Sequence, residues 1–215
     1  MKEALGWWMP STEEHLIEWM KHPKNKMIMN GRLAYQGKKQ EAALALCKNF
    51  RCAVDVGAHV GFWSYNLAKK FAEVHSFEPV VEHRLCFERN VTDSNVSLYA
   101  RALGETTGMI SIFSAPTSSG DSWVSGEGGI PMDRLDDFSL QNVDLIKIDC
   151  EGYELHVLRG AEETLKRCHP LVVVEQKPGR AQKFGLPDIG AVAYLESLGA
   201  KLQKVMSGDY FLSWD

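Results

Sequence analysis

Residues Cys52-Ala53-Val54-Asp55-Val56-Gly57-Ala58-His59-Val60-Gly61 decide the fold. A short apolar run stopping at a glycine reads as a buried strand, and a helix-forming stretch over 62–71 follows at once. A strand that turns through glycines into a helix begins a βα unit, and such units bind ligands at the carboxyl ends of their strands. Gly57 supplies the sharp turn, and Gly61 permits close approach at the helix start. The Gly-x-x-x-Gly spacing differs from the Gly-x-Gly-x-x-Gly of dinucleotide sites. Asp55, two residues ahead of the first glycine, suits a ligand with a cationic amino-acid end. A plain structural βα turn is also compatible with this loop taken alone.

The same alternation continues outward. Strands are expected at 73–77, 96–99, 109–113, 143–148 and 171–174, with helices over 80–90, 155–166 (around Gly160) and 189–198. The last two segments, 201–206 and 210–214, flank Ser207-Gly208-Asp209 and must form an antiparallel hairpin. The pattern is α/β, a mostly parallel central sheet with an antiparallel C-terminal hairpin strand and helices on both faces. Residues 51–215 form this domain. Residues 1–50 read as an N-terminal helical extension, a possible lid, with one helix capped by Ser11 or Thr12 and another over 38–47. The Ser/Gly-rich stretch 114–129 reads as a long loop, functional or disordered, in which Trp123 can stack on an acceptor ring or anchor the loop.

Composition narrows the function. The chain has 215 residues, 45% hydrophobic and 24% charged, and a net charge of -4, so it offers no general attraction to nucleic acid or anionic lipid. No apolar run reaches membrane-spanning length, and no secretory leader is visible. Five scattered cysteines without paired spacing read as free thiols in a reducing compartment, which points to the cytoplasm.

Four acidic residues are candidates for the chemistry. Glu78, followed by Pro79, ends the second strand, where a carboxylate grips a ribose diol. Asp149 and Glu151 follow the 143–148 strand; they can take a proton, orient a hydroxyl, or share a divalent cation, and Glu151 also suits a helix N-terminus. Glu175 ends the next strand and is a candidate third carboxylate or a helix cap. No metal site is assigned, and a divalent ion is an alternative use of the same acids.

The ordered set Val54 to Gly61, Ser76-Phe77-Glu78-Pro79, Ala102-Leu103-Gly104, Leu135-Asp136-Asp137-Phe138, Ile146 to Glu154 and Val157-Leu158-Arg159-Gly160-Ala161 resembles the FkbM family of S-adenosylmethionine-dependent methyltransferases. The resemblance implies the Rossmann-like methyltransferase fold and transfer of a methyl group from S-adenosylmethionine to a saccharide or small natural-product hydroxyl. It implies that Asp55, Gly57, Ala58, His59 and Gly61 line the methionine part, that Glu78 with Pro79 meets the ribose, and that Ala102 or Leu103 lies near the adenine. Asp149, Glu151 and Glu175 are the catalytic candidates. His59 stands where the family has Asn, and its imidazole admits a pH-dependent affinity. The expected partner is a small-molecule or saccharide acceptor, with no nucleic acid and no membrane; the oligomeric state is not readable. A nicotinamide-dependent oxidoreductase and a non-catalytic cofactor-binding module of the same fold are the alternatives.

Overall fold

The computed structural model describes residues 1–115 and 118–214. The chain opens with a hairpin of β1 (Lys2–Ala4) and β2 (Trp7–Met9), then α1 (His15–Lys21), a second hairpin of β3 (Ile28–Met29) and β4 (Arg32–Leu33), and α2 (Gly37–Leu46). The first winding is β5 (Cys52–Val56), α3 (Phe62–Ala68), β6 (Glu73–Phe77), α4 (Val81–Asn90) and β7 (Val96–Tyr99). A small sheet follows, from β8 (Ala102–Leu103), β9 (Gly108–Ala115), β10 (Ser118–Glu127) and β11 (Ile130–Asp133). The second winding is β12 (Val143–Ile148), α5 (Glu154–Arg159), α6 (Glu162–Cys168), β13 (Leu171–Glu175), α7 (Gly190–Ser197), β14 (Lys201–Met206) and β15 (Asp209–Ser213).

The main sheet has seven strands in the order β14-β15-β13-β12-β5-β6-β7. The five strands from β13 to β7 run parallel, while β15 is antiparallel to both of its neighbours. The antiparallel strand is therefore second from the edge, inserted between β13 and β14. The strands are apolar on both faces because both are covered. Val54, Val56, Ile146, Ile148, Val172 and Val174 pack under α5, α6 and α7. Ala53, Leu145, Val173 and Phe211 pack against Trp63 and Leu67 of α3 and against Ala42 and Ala43 of α2.

Four expectations change. The N-terminal stretch contains two hairpins besides its helices, and it packs on the sheet and on α3 and α4: Trp7, Met9, Leu16, Ile17 and Met20 share a core with Val60, Phe62 and Cys86. The cap of α1 comes from neither Ser11 nor Thr12 but from Glu13, whose carboxylate accepts the Leu16 amide at 2.7 Å. The expected loop 114–129 is largely β10, paired with β9 so that Trp123 faces Phe113 and Val124 faces Ile112; Pro116 and Thr117 of that stretch lie outside the described residues. The Ser/Gly composition hides this strand, whose Val124 joins Ile110 and Met132. The helix expected over 155–166 is two helices. They part at Gly160, where a Cβ would lie 1.9 Å from the Gly104 carbonyl oxygen. Asp136 accepts the Glu163 and Thr164 amides at the start of α6.

Candidate active site

The carboxyl ends of β5, β6 and β12 open into a cleft of about 1140 Å³, mouth included, roofed by β10 and the start of α1. Gly57, Ala58, His59, Glu78, Pro79, Ala102, Leu103, Asp149 and Glu151 line it. The sequence thus places nine of its twelve site residues on one cavity. The remaining three, Asp55, Gly61 and Glu175, sit outside its lining.

Asp55 is fully buried. In register, β12, β5 and β6 bring Lys147, Asp55 and Ser76 side by side. Asp55 Oδ2 accepts from Ser64 Oγ at 2.6 Å, and Oδ1 pairs with Lys147 Nζ at 3.3 Å. Because the Ser64 proton goes to Asp55, the 2.8 Å contact between Ser64 and Ser76 is donated by Ser76. Lys147 Nζ also donates to the Gly57 carbonyl at 3.0 Å. Burial pulls the Lys147 ammonium down, yet the carboxylates of Asp55 and Asp149 outweigh it and hold it above the usual range. Asp55 therefore shapes the glycine loop through Lys147.

The loop itself is fixed by close approach. Gly57 has φ +74°, and a Cβ there would lie 2.1 Å from the Asp149 carbonyl oxygen. Gly61, at φ +93°, fits under Val91 and Phe87. It packs there against the C-terminal end of α4.

Glu78 is 4% exposed at the end of β6. It accepts from the His59 amide at 2.8 Å, from the Val80 amide at 2.8 Å, and meets His83 Nδ1 at 3.2 Å. Burial raises its carboxyl, but the hydrogen bonds from His83 and the two amides win and hold it below the usual carboxylate range. The result is a fixed, ionised acceptor on the cleft wall. His59 carries a neutral imidazole: burial, then His83 and Lys147, push it well below the ordinary histidine value.

At the other end of the cleft, Asp149, Glu151 and Glu175 bring carboxylate oxygens within 4.8 Å of one another. Glu175 pairs with Lys177 at 2.8 Å and Glu151 with Arg180 at 3.1 Å. Burial and the Asp149 charge push the Glu151 carboxyl up to about 7 and that of Glu175 to about 9, against the pull of Lys177. Like charges this close cannot all ionise, so the group keeps a proton at neutral pH. Arg180 and Lys177 stand beside Glu151 and Glu175 as their ion-pair partners.

Several contributors escaped the sequence. Glu13, His83, Ser119, Lys147, Lys177 and Arg180 reach the site or its supports. Lys147 lies within the Ile146 to Glu154 segment, and Lys177 stands two residues past the end of β13. Trp123 lines the cleft with its ring tilted on Phe113 at 4.5 Å and the Lys183 ammonium 3.7 Å from its centre.

A parallel sheet with one inserted antiparallel strand and a glycine loop facing a buried acid on the next strand is a specific combination. The sequence model of the methyltransferase FkbM domain matches residues 55–202, which covers the glycine loop, Glu78 and the parallel strands β6 to β13 and stops before β15. The chain belongs to the methyltransferase FkbM family. That membership sets the nicotinamide alternative aside. No curated protein matches the chain. Methyltransferase FkbM from Methylobacillus flagellatus KT is 21% identical with a TM-score of 0.54, over 78% of this chain and 44% of that one, so this FkbM chain spans less than half the length of that relative. A putative O-methyltransferase from Klebsiella pneumoniae is 16% identical with a TM-score of 0.51, over 92% of this chain and 84% of that one. A putative methyltransferase from Streptococcus mutans in complex with SAH is 8% identical with a TM-score of 0.53, over 86% and 97%. At these identities the likeness is one of fold. Among the described residues no helix is long and apolar enough to cross a membrane.

Proposed function

We propose that this FkbM-family chain transfers the methyl group of S-adenosylmethionine to a hydroxyl oxygen of a saccharide or small natural product. The observation that carries the reading is the Glu78 carboxylate, buried, ionised and braced on three sides while lining the cleft. An acid in that state suits a vicinal diol, which offers two O–H donors. The rest of the cleft fits the same molecule. Phe77, Pro79, Ala102 and Leu103 give an apolar wall for a purine.

When bound, S-adenosylmethionine supplies a methyl group already activated on a sulfonium. The chain's share is then alignment and proton removal. Asp149 lines the cleft and is positioned to orient the acceptor hydroxyl and receive its proton on a carboxylate oxygen. Glu151, with its carboxyl near 7, lies beside it to take up that charge change. β10 and α1 roof the cleft and exclude water.

Titration calorimetry of the wild-type chain with S-adenosylmethionine tests the reading: absence of binding ends it. Glu78→Ala should weaken binding by about 10- to 100-fold, the worth of hydrogen bonds to a charged group. Asp149→Asn should leave cofactor affinity within a few-fold and lower turnover with an accepted hydroxyl substrate by about 100-fold or more. Unchanged turnover in that variant would remove Asp149 as the proton acceptor, whereas a wild type that binds the sulfonium and methylates no hydroxyl would favour the non-catalytic module.

A further inference from the structure

The cofactor cleft is crossed by a chain of hydrogen bonds that starts outside the segment shared with the family. Glu13, in the connection before α1, is a fully buried carboxylate. Its Oε1 accepts the Leu16 amide at 2.7 Å, and its Oε2 accepts the Ser119 amide at 2.8 Å and the Ser119 hydroxyl. Ser119, itself buried, touches His59 Nε2 through the same hydroxyl at 2.8 Å. A serine hydroxyl has one proton, and here it is spent on Glu13. The ring therefore donates, so His59 carries its proton on Nε2. The His59 amide in turn donates to Glu78 at 2.8 Å. The chain of bonds runs Leu16, Glu13, Ser119, His59, Glu78, and the last three line the cleft.

This arrangement joins the roof to the floor. α1 and β10 meet over the cleft at Glu13 with Ser119 and at Leu16, whose side chain lies against Gly120. A buried carboxylate is costly unless every bond is made, so the joint is either closed and satisfied or open to water. An apolar contact would hold the roof without that two-state character. His59, at φ 53° and with its ring edge-on to His83 at 4.3 Å, has its orientation set from above by Ser119.

The geometry points to Glu13 and Ser119 as positioning residues that form a latch over the cofactor: they aim the His59 ring, and the cofactor enters and leaves when the Glu13–Ser119 joint opens. The inference rests on the cofactor reading above.

Stopped-flow measurement of S-adenosylmethionine dissociation from the full chain tests it. Ser119→Ala and Glu13→Gln should each speed release by about tenfold or more, since each removes a charge-assisted bond. Asn95→Ala controls for general loosening, because it removes two bonds, to Ala68 and Phe71 carbonyls, remote from the cleft. Wild-type release rates in either latch variant, or equal acceleration in the control, would overturn the latch. Long-range nitrogen–proton spectra of the ligand-free wild type give a second readout that needs neither variant to fold. A proton on His59 Nε2 and a Ser119 amide protected from exchange support the latch; a proton on Nδ1, or exchange at the rate of an exposed amide, overturns it. If the wild type fails to bind the sulfonium, the proposed function falls, while these ligand-free readouts still judge the joint.

Discussion

Glu154 shows what a single side chain does beneath this site. It is 1% exposed and accepts from the Cys150 amide at 3.0 Å, the Gly152 amide at 2.9 Å and Gln176 Nε2 at 3.2 Å. It thereby fixes the turn that carries Asp149 and Glu151. Burial pushes its carboxyl up to about 7 from 4.5, and the amide bonds only partly offset that. Between those values the folded chain binds more protons than the unfolded one, so stability falls as pH rises through this window. Above pH 7 the loss is complete. Glu154→Gln keeps an acceptor for the amides and removes the titration. It should therefore be more stable than wild type at pH 8, on the order of 3 kcal/mol at most, with the difference vanishing below pH 4.5. Urea unfolding of both proteins at pH 4.5 and 8 checks the sign and the window.

At the scale of elements, turns place the chemistry, and the glycines there differ in what they tolerate. Gly57→Ala puts a Cβ 2.1 Å from a backbone oxygen of the neighbouring turn, besides straining a positive φ. Gly179 also has a positive φ, +79°, but its Cβ would meet nothing within 4 Å. Alanine at 179 should cost about 1–2 kcal/mol from strain alone. At 57 the cost should exceed that by about 1–3 kcal/mol, because the β5 and β12 turns must separate. Equal shifts in chemical unfolding midpoints would show that the two turns are not in contact. The strand–glycine–helix pattern announced β5 and α3 because local chemistry specifies them. β10 stayed hidden because its partner β9 and its covered face, not its own Ser/Gly composition, make it a strand.

For the whole molecule, the first fifty residues are part of the domain's core. Trp7 is fully buried, edge-on to Phe62 at 4.9 Å and to Tyr65 at 5.4 Å, with its indole N–H donated to Leu33 at 2.7 Å. Ala42 and Ala43 of α2 cover the sheet face above Ala53 and Val173. A chain reduced to residues 51–215 would expose both surfaces, and it should be unfolded or aggregated by circular dichroism and dye binding. Trp7→Ala should cost about 3–5 kcal/mol in the full chain. A stably folded 51–215 fragment would restore the idea of a detachable lid.

The sequence alone determined the sheet's alternation, the glycine turn and the acids at strand ends, since each rests on neighbours within a few residues. It therefore brought Gly57, Glu78, Asp149 and Glu151 to one cleft correctly. It did not show the partner of Asp55, because an acid before a glycine loop looks alike whether it meets a ligand or a buried lysine 92 residues away. Only the tertiary structure decided that Lys147 pairs with Asp55, that Glu13 reaches Ser119, and that Glu175 lies beside Asp149 and Glu151. Burial and long-range partners set each of those outcomes, and neither is written in local spacing.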